Sequence, residues 1–95
     1  MISLNSVPEI KKDIAWRIID GKAIVIRLNE NKKEVLNIFN DTATRIWELI
    51  EEGNSMKKIL LRLSGEYNIN AQNIEKDLRE AISEMVNQKM ITVLS

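Results

Sequence analysis

The segment FNDTATRIWELIEEG, residues 39–53, decides the fold because it contains the start, the buried face and the end of one helix. Asn40 is a favourable N-cap residue, and Asp41 places a carboxylate at the positive end of the helix dipole. Gly53 falls where a left-handed residue usually closes a helix. The apolar face has the spacing i, i+3, i+4 and i+7 and consists of Ala43, Ile46, Trp47 and Ile50. The segment therefore predicts an amphipathic helix.

The residues before this helix predict an antiparallel sheet of three strands. Residues 14–19 and 22–28 are rich in β-branched side chains, and the pair Asp20-Gly21 between them is typical of a two-residue hairpin turn. A polar turn over residues 29–33 then leads into a third strand, Glu34–Ile38. Because this strand is the last of the meander, we expect it to lie at the edge of the sheet.

The residues after Gly53 predict two further helices. One is capped by Ser55 and runs to about residue 67, and the other follows Asn70 and runs to about residue 88. Their apolar faces consist of Met56, Ile59, Leu60 and Leu63 in the first, and of Ile74, Leu78, Ala81, Ile82 and Met85 in the second. We therefore predict an α+β fold, a winged helix-turn-helix-like domain in which a three-stranded antiparallel sheet is followed by three helices.

The ends of the chain and its length bear on the domain organisation. Residues 1–12 contain the single proline and show little periodicity, so we expect a loosely ordered N-terminal arm. Residues 13–95 are enough for one domain with its own core. No apolar run has the length of a membrane span and no signal-peptide pattern opens the chain, which predicts a cytoplasmic protein with no membrane partner.

The composition argues against catalysis and metal binding. The sequence has no Cys and no His, and so lacks the thiolate nucleophile, the commonest general base and the commonest metal ligands. The 14 carboxylates have no spacing that an acid–base or metal motif requires, and the three glycines form no phosphate-binding loop. We therefore expect no catalytic residue, no metal, no cofactor and no enzymatic activity.

A DNA-binding transcriptional regulator is the alternative that the fold class raises. In a winged helix-turn-helix protein the third helix would read the DNA, using cationic and amide side chains. Between residues 71 and 88 this helix has four carboxylates and two cations, a net charge of −2. Such a helix repels a polyanion, so the charge argues against a nucleic-acid partner.

Peptide binding fits the predicted elements better. An edge strand has unpaired backbone groups, to which an extended peptide can add as a further strand. The third helix would form the wall of a groove beside that strand, and its carboxylates would suit a peptide with Lys or Arg. For the apolar residues of this helix a purely structural role in the core is the alternative. The candidate binding residues are Glu34, Val35, Leu36, Asn37 and Ile38 on the strand and Ile74, Asp77, Leu78, Ala81 and Met85 on the helix.

Taken in order, these motifs resemble the PqqD family, the recognition elements of ribosomally synthesised and post-translationally modified peptides (RiPPs). Trp16-Arg17, Asp20-Gly21 and the apolar run 23–26 are similar to the opening hairpin of the family. Residues 39–53 resemble its strand-to-helix hallmark, LNxTAxxIWxLxxxG. The later matching positions are Ile59, Leu63, Tyr67, Asp77 and Ile91. The resemblance covers nearly the whole chain, and its specificity comes from the order and spacing of the motifs.

The resemblance implies a non-catalytic domain that binds the leader part of a precursor peptide and presents the core part to a modifying enzyme. In the family the leader lies as an added antiparallel strand against the third strand, in the cleft that this strand forms with the third helix. On this chain the matching positions are residues 35–38 and the helix edge of Ile74, Asp77, Leu78, Ala81 and Met85.

Two departures from the family pattern affect what the resemblance implies. Phe39 replaces the usual Leu before Asn40, which is an apolar exchange, and Lys89 stands where the family usually has Gly at the end of the third helix. A Lys in a left-handed conformation there would be strained. The chain also lacks the cysteine and terminal tryptophan features of members that serve pyrroloquinoline quinone synthesis. This favours a stand-alone element for a lasso peptide or a radical-SAM-modified peptide, with a leader peptidase or a radical-SAM enzyme as partner.

Overall fold

Four strands precede three helices in the structure, a computed structural model that describes residues 2–94, and a fifth strand follows them. The elements are β1 (Val7–Ile10), β2 (Ala15–Ile19), β3 (Lys22–Leu28), β4 (Glu34–Ile38), α1 (Asp41–Glu51), α2 (Met56–Tyr67), α3 (Ala71–Asn87) and β5 (Ile91–Leu94). The predicted α+β class, with a three-stranded antiparallel sheet followed by three helices, is confirmed.

The main sheet has the order β2-β3-β4, and both strand pairs are antiparallel. Asp20 and Gly21 have φ values of 52° and 77°, so the predicted turn with positive φ at both central residues joins β2 to β3. Among the described residues β4 pairs only with β3, which confirms that it is an edge strand.

The segment before β2, for which the sequence predicts a loosely ordered arm over residues 1–12, contains a strand. Residues 7–10 form β1, which pairs with β5 in a second sheet. Two N–H groups in the first turn of α2, those of Met56 and Lys57, donate to the carbonyls of Ser6 and Leu4 at 2.8 Å. This end of the chain is ordered by partners in distant parts of the sequence. The division into an arm and one domain remains a prediction, and its two outermost positions, 1 and 95, lie outside the described residues.

Each helix begins at the N-cap residue that the sequence predicts. The side-chain oxygen of Asn40 accepts from the Ala43 N–H at 2.8 Å. Ser55 caps α2 and Asn70 caps α3 in the same way. Gly53 follows α1 with a φ of 89°, the left-handed conformation expected of a closing glycine.

The core is formed by all three helices and the inner face of β3, and α1 packs directly on that strand. Trp47 is fully buried and makes edge-to-face contacts with Trp16 and Phe39, at centroid distances of 6.0 and 5.4 Å. The buried Thr44 hydroxyl accepts a hydrogen bond from the Ala23 N–H at 2.8 Å, which fixes α1 to the start of β3. No helix within residues 2–94 is both long enough and apolar enough to cross a membrane.

Candidate functional site

The free edge of β4 carries backbone groups that no strand within residues 2–94 pairs with. Directly after the strand, the Phe39 N–H donates to the Ala23 carbonyl at 2.9 Å, so the backbone groups of Phe39 point towards β3. This direction alternates along an antiparallel strand. The N–H and C=O groups of Glu34, Leu36 and Ile38 therefore point away from the sheet. They are available to an added strand.

The register of β4 places a polar side chain on the inner face of the sheet. Asn37 lies opposite the fully buried Val25, and opposite residues share one face of a sheet. The outward-facing side chains are apolar instead, because Leu36 is 56% and Ile38 is 64% exposed. Positions 36–38 therefore depart from the usual arrangement of apolar residues inside and polar residues outside, whereas Glu34 and Val35 follow it.

A cleft of about 270 Å³ lies between the end of β4, the start of α1 and the C-terminal half of α3. It is lined by Asn37, Ile38, Phe39, Asn40, Ala43, Ala81, Glu84, Met85, Gln88 and Met90. Most of the contact surface comes from apolar side chains, and the small Ala81 and Ala43 leave space between the larger ones. An apolar side chain that enters from the free edge of β4 would fit this cleft.

Two polar groups give the cleft its electrostatic character. Glu84 is the one charged residue among the described lining residues. The Asn37 Oδ1 atom is buried and accepts no hydrogen bond from any described group. Because a buried acceptor without a partner is costly, the Asn37 oxygen favours a ligand that brings a donor into the cleft.

The structure brings together part of the site expected from the sequence. Asn37, Ile38, Ala81 and Met85 line the cleft, while Glu34, Val35 and Leu36 continue along the strand. Ile74 and Leu78 are buried in the core, so they support the wall of the cleft from behind. Asp77 is exposed one turn before Ala81. That these residues bind a peptide remains a prediction.

Six lining residues were not among the sequence candidates: Phe39, Asn40, Ala43, Glu84, Gln88 and Met90. Helical spacing would have found two of them, because Glu84 and Gln88 follow Ala81 at i+3 and i+7 on one face. Phe39 and Ala43 lie on either side of the N-cap of α1, and only the folding of the chain brings them next to α3. No group of three or more Asp or Glu residues in the described part of the chain could hold a metal ion.

The sequence and the fold are similar to those of known proteins. The family model for coenzyme PQQ synthesis protein D (PqqD) matches residues 25–91. No curated protein sequence matches this chain. The fold is similar to that of TbiB1 in complex with the TbiA(beta) leader peptide, with a TM-score of 0.76. The sequence identity is 23%, and the alignment covers 87% of this chain and 93% of that chain.

A second similar structure comes from Methylobacterium extorquens. It is the solution NMR structure of the PqqD truncation of PqqCD, described as a functional and stand-alone RiPP recognition element. The TM-score is 0.73 at 17% identity, with coverage of 97% of this chain and 95% of that chain. At these identities the two structures establish the fold that the chain shares with them.

Proposed function

The chain belongs to the PqqD family, and from this premise we propose that it binds the leader segment of a ribosomally synthesised precursor peptide. The leader adds as a strand to the free edge of β4, and one of its apolar side chains enters the cleft beside α3. The domain performs no catalysis itself and presents the rest of the precursor to a modifying enzyme in the cytoplasm.

One observation carries this proposal: an edge strand with outward-facing backbone groups runs beside an apolar cleft. Backbone hydrogen bonds to Leu36 would give affinity for any extended chain, and the cleft at Ala81 and Met85 would select among side chains. An edge of this kind also invites unwanted pairing, so its exposure needs a functional explanation. A bound leader strand supplies that explanation.

The comparisons support the same proposal. The TbiB1 structure is of a complex with a leader peptide, and the Methylobacterium extorquens domain is described as a recognition element for RiPPs. Both share this fold over most of the chain. We further propose a lasso peptide or a radical-SAM-modified peptide as the product class, and a leader peptidase or a radical-SAM enzyme as the partner.

The substitution Leu36→Pro tests strand addition directly. Proline removes the Leu36 N–H, which faces away from β3, and an edge strand tolerates proline at such a position. We expect circular dichroism to show that the variant is folded. The ligand is the leader of the precursor encoded beside this chain's gene, and calorimetry should show at least a tenfold loss of affinity for it, or about 1.4 kcal/mol.

The matched control is Leu36→Ala, which keeps the N–H and removes the exposed side chain. We expect its affinity to stay within about threefold of the original chain. Equal affinity in the proline variant would place the peptide elsewhere on the surface. An original chain that binds no leader at all would remove the support for the proposal.

A further inference from the structure

A second cavity lies beside the apolar cleft. It has a volume of about 380 Å³ and lies between the end of β3, the loop that follows it and the C-terminal end of α3. Its polar lining includes Arg27, Asn31, Asn87 and Lys89, and it shares Gln88 with the apolar cleft. The two cavities are therefore adjacent.

Arg27 is the unsatisfied group of this second cavity. Its Nε atom is buried and donates to no acceptor in the described residues, and no carboxylate there lies within 4.0 Å of its guanidinium. A guanidinium is always charged and is matched best by a carboxylate, which can accept two parallel hydrogen bonds. The structure thus leaves a half-buried cation without the partner that its chemistry requires.

Lys89 adds a second cation at a backbone position that does not favour it. Its φ is 60°. At the end of α3, the Lys89 N–H donates to the Val86 carbonyl and the Met90 N–H donates to the Met85 carbonyl. Glycine adopts this left-handed conformation without the clash that a Cβ atom brings. Lys32 has the same φ, so the feature that distinguishes Lys89 is its place in the lining of the cavity.

We propose that the cavity at Arg27 and Lys89 binds an acidic side chain of the same peptide that occupies the apolar cleft. This inference rests on the proposed function. Glu30 also lines the cavity, but the lining residues still carry two cations against one anion. The apolar cleft has the opposite character, with Glu84 as its charged lining residue. The recognised segment is therefore polarised, with an apolar anchor at one end and an Asp or Glu at the other.

The register of the sheet sets the spacing of these two features. Phe39, at the apolar cleft, pairs with Ala23, and Val35 lies opposite Arg27, so both positions lie on the inner face of the sheet and are four residues apart. A strand added to this edge advances ~3.4 Å per residue, so an acidic side chain ~4 residues from the anchor would reach the second cavity. If the added strand is antiparallel to β4, the acidic residue lies on the C-terminal side of the anchor.

Selection from a displayed library of random peptides tests the proposal without a known leader. Binders to the full-length chain should be enriched in Asp or Glu at one position, ~4 residues from an apolar or aromatic anchor. Selection on the Arg27→Gln variant should lose this enrichment and keep the anchor. For one selected acidic peptide, the Arg27→Gln variant should bind about tenfold more weakly than the original chain. When the Glu of that peptide is replaced by Ala, the affinities of the variant and the original chain should differ less than twofold.

Lys89→Gly separates binding from stability. Glycine relieves the positive φ, so the thermal midpoint should rise, while the affinity for the acidic peptide falls several-fold. A folding role for Lys89 would instead make the two quantities fall together. Selected peptides without an acidic preference, or with the same preference on Arg27→Gln, would overturn this inference and leave the proposed function intact. Binders that Leu36→Pro does not affect would overturn both.

Discussion

Two helices lie beside the sheet, α1 next to β3 and α3 next to β4, and the space between helix and strand is filled more completely in the first case than in the second. Between α1 and β3, Trp47 is fully buried and Thr44 satisfies the Ala23 N–H at 2.8 Å, and the polar atom without a partner among the described groups is the Trp47 Nε1. Between α3 and β4, a cleft of about 270 Å³ remains and the Asn37 oxygen has no partner among the described groups. We refer to these as the closed side and the open side.

Under the proposed function, this difference predicts that the closed side determines stability and the open side determines peptide affinity. The filled volume and the Thr44 hydrogen bond on the closed side contribute to the free energy of folding. On the open side, the outward backbone groups of β4, the Asn37 oxygen and the apolar lining of the cleft have no partner among the described residues. A ligand that contacts these groups would gain the most binding free energy. Phe39 connects the two, because its ring packs on Trp47 and also lines the cleft. Substitutions on the two sides should therefore affect different quantities.

The largest expected effect is on the closed side, for Trp47→Ala. Removing a fully buried indole creates a cavity and should lower the free energy of unfolding by about 3–5 kcal/mol, measured by chemical denaturation. Trp16→Ala is the matched control, because Trp16 is only half-buried and should cost clearly less. Equal losses in both variants would mean that the core is not centred on α1.

Thr44→Val should have the next largest effect. Valine keeps the shape of the side chain but cannot accept the hydrogen bond from the buried Ala23 N–H. The orphaned donor should cost about 1–3 kcal/mol of unfolding free energy. Thr42→Val, an exposed position on the same helix turn, serves as the control and should change stability little. A neutral Thr44→Val would show that the hydrogen bond does not hold α1 to the sheet.

Ala81→Leu should partly close the open side. The larger side chain fills space in the cleft, so we expect unfolding free energy to change little and leader affinity to fall about tenfold, or about 1.4 kcal/mol, in calorimetry. Ser83→Leu adds the same side chain at an exposed position of α3 and should leave affinity unchanged. Undiminished binding by Ala81→Leu would exclude the cleft as the side-chain pocket.

A smaller, pH-dependent effect is expected from the ion pair that ties α1 to α2. Arg45 donates to both carboxylate oxygens of Glu66 at 2.8 Å, and these hydrogen bonds hold the pKa of Glu66 below its ordinary value. A lowered folded-state pKa gives stability above the unfolded-state pKa, and this stability is lost as pH falls through the folded-state value.

Glu66→Gln should therefore cost about 0.5–1 kcal/mol at pH 7, a value limited by the exposure of the pair to solvent. In strong acid, where the carboxyl of the original chain is protonated, the two proteins should become equally stable. The measurement is the denaturation midpoint as a function of pH. A stability difference that stays constant into strong acid would contradict the role of the charge.

The smallest expected effect is on DNA binding, which we expect to be negligible at physiological salt. Asp77, Glu80 and Glu84 are exposed on α3, and the cation Arg79 on the same helix pairs with Glu75 at 2.9 Å. Non-specific affinity depends on neutralising phosphates, which this surface does not do. A submicromolar, steeply salt-dependent affinity for random duplex in a gel-shift assay would revive the transcriptional-regulator alternative.

Part of the candidate site was predictable from the sequence. The edge position of β4 follows from its place at the end of the meander, and Ala81 and Met85 follow from the helical period of α3. The inward orientation of Asn37 was not predictable, because both Val35 and Leu36 are apolar and either face of Glu34–Ile38 could have been the inner one. The register with β3 decides the face, and a shift of one residue would invert it.

The sequence by itself determined the turns, the caps and the helix faces of this protein. Asp20-Gly21, Asn40 and Gly53 act on backbone angles and hydrogen bonds within a few residues, so their effect can be read locally. Only the tertiary structure decided that β1 pairs with β5, with Val7 opposite Leu94, and that Arg27 and Lys89 share one cavity. These contacts join distant parts of the chain, and their energies arise only when folding brings the parts together.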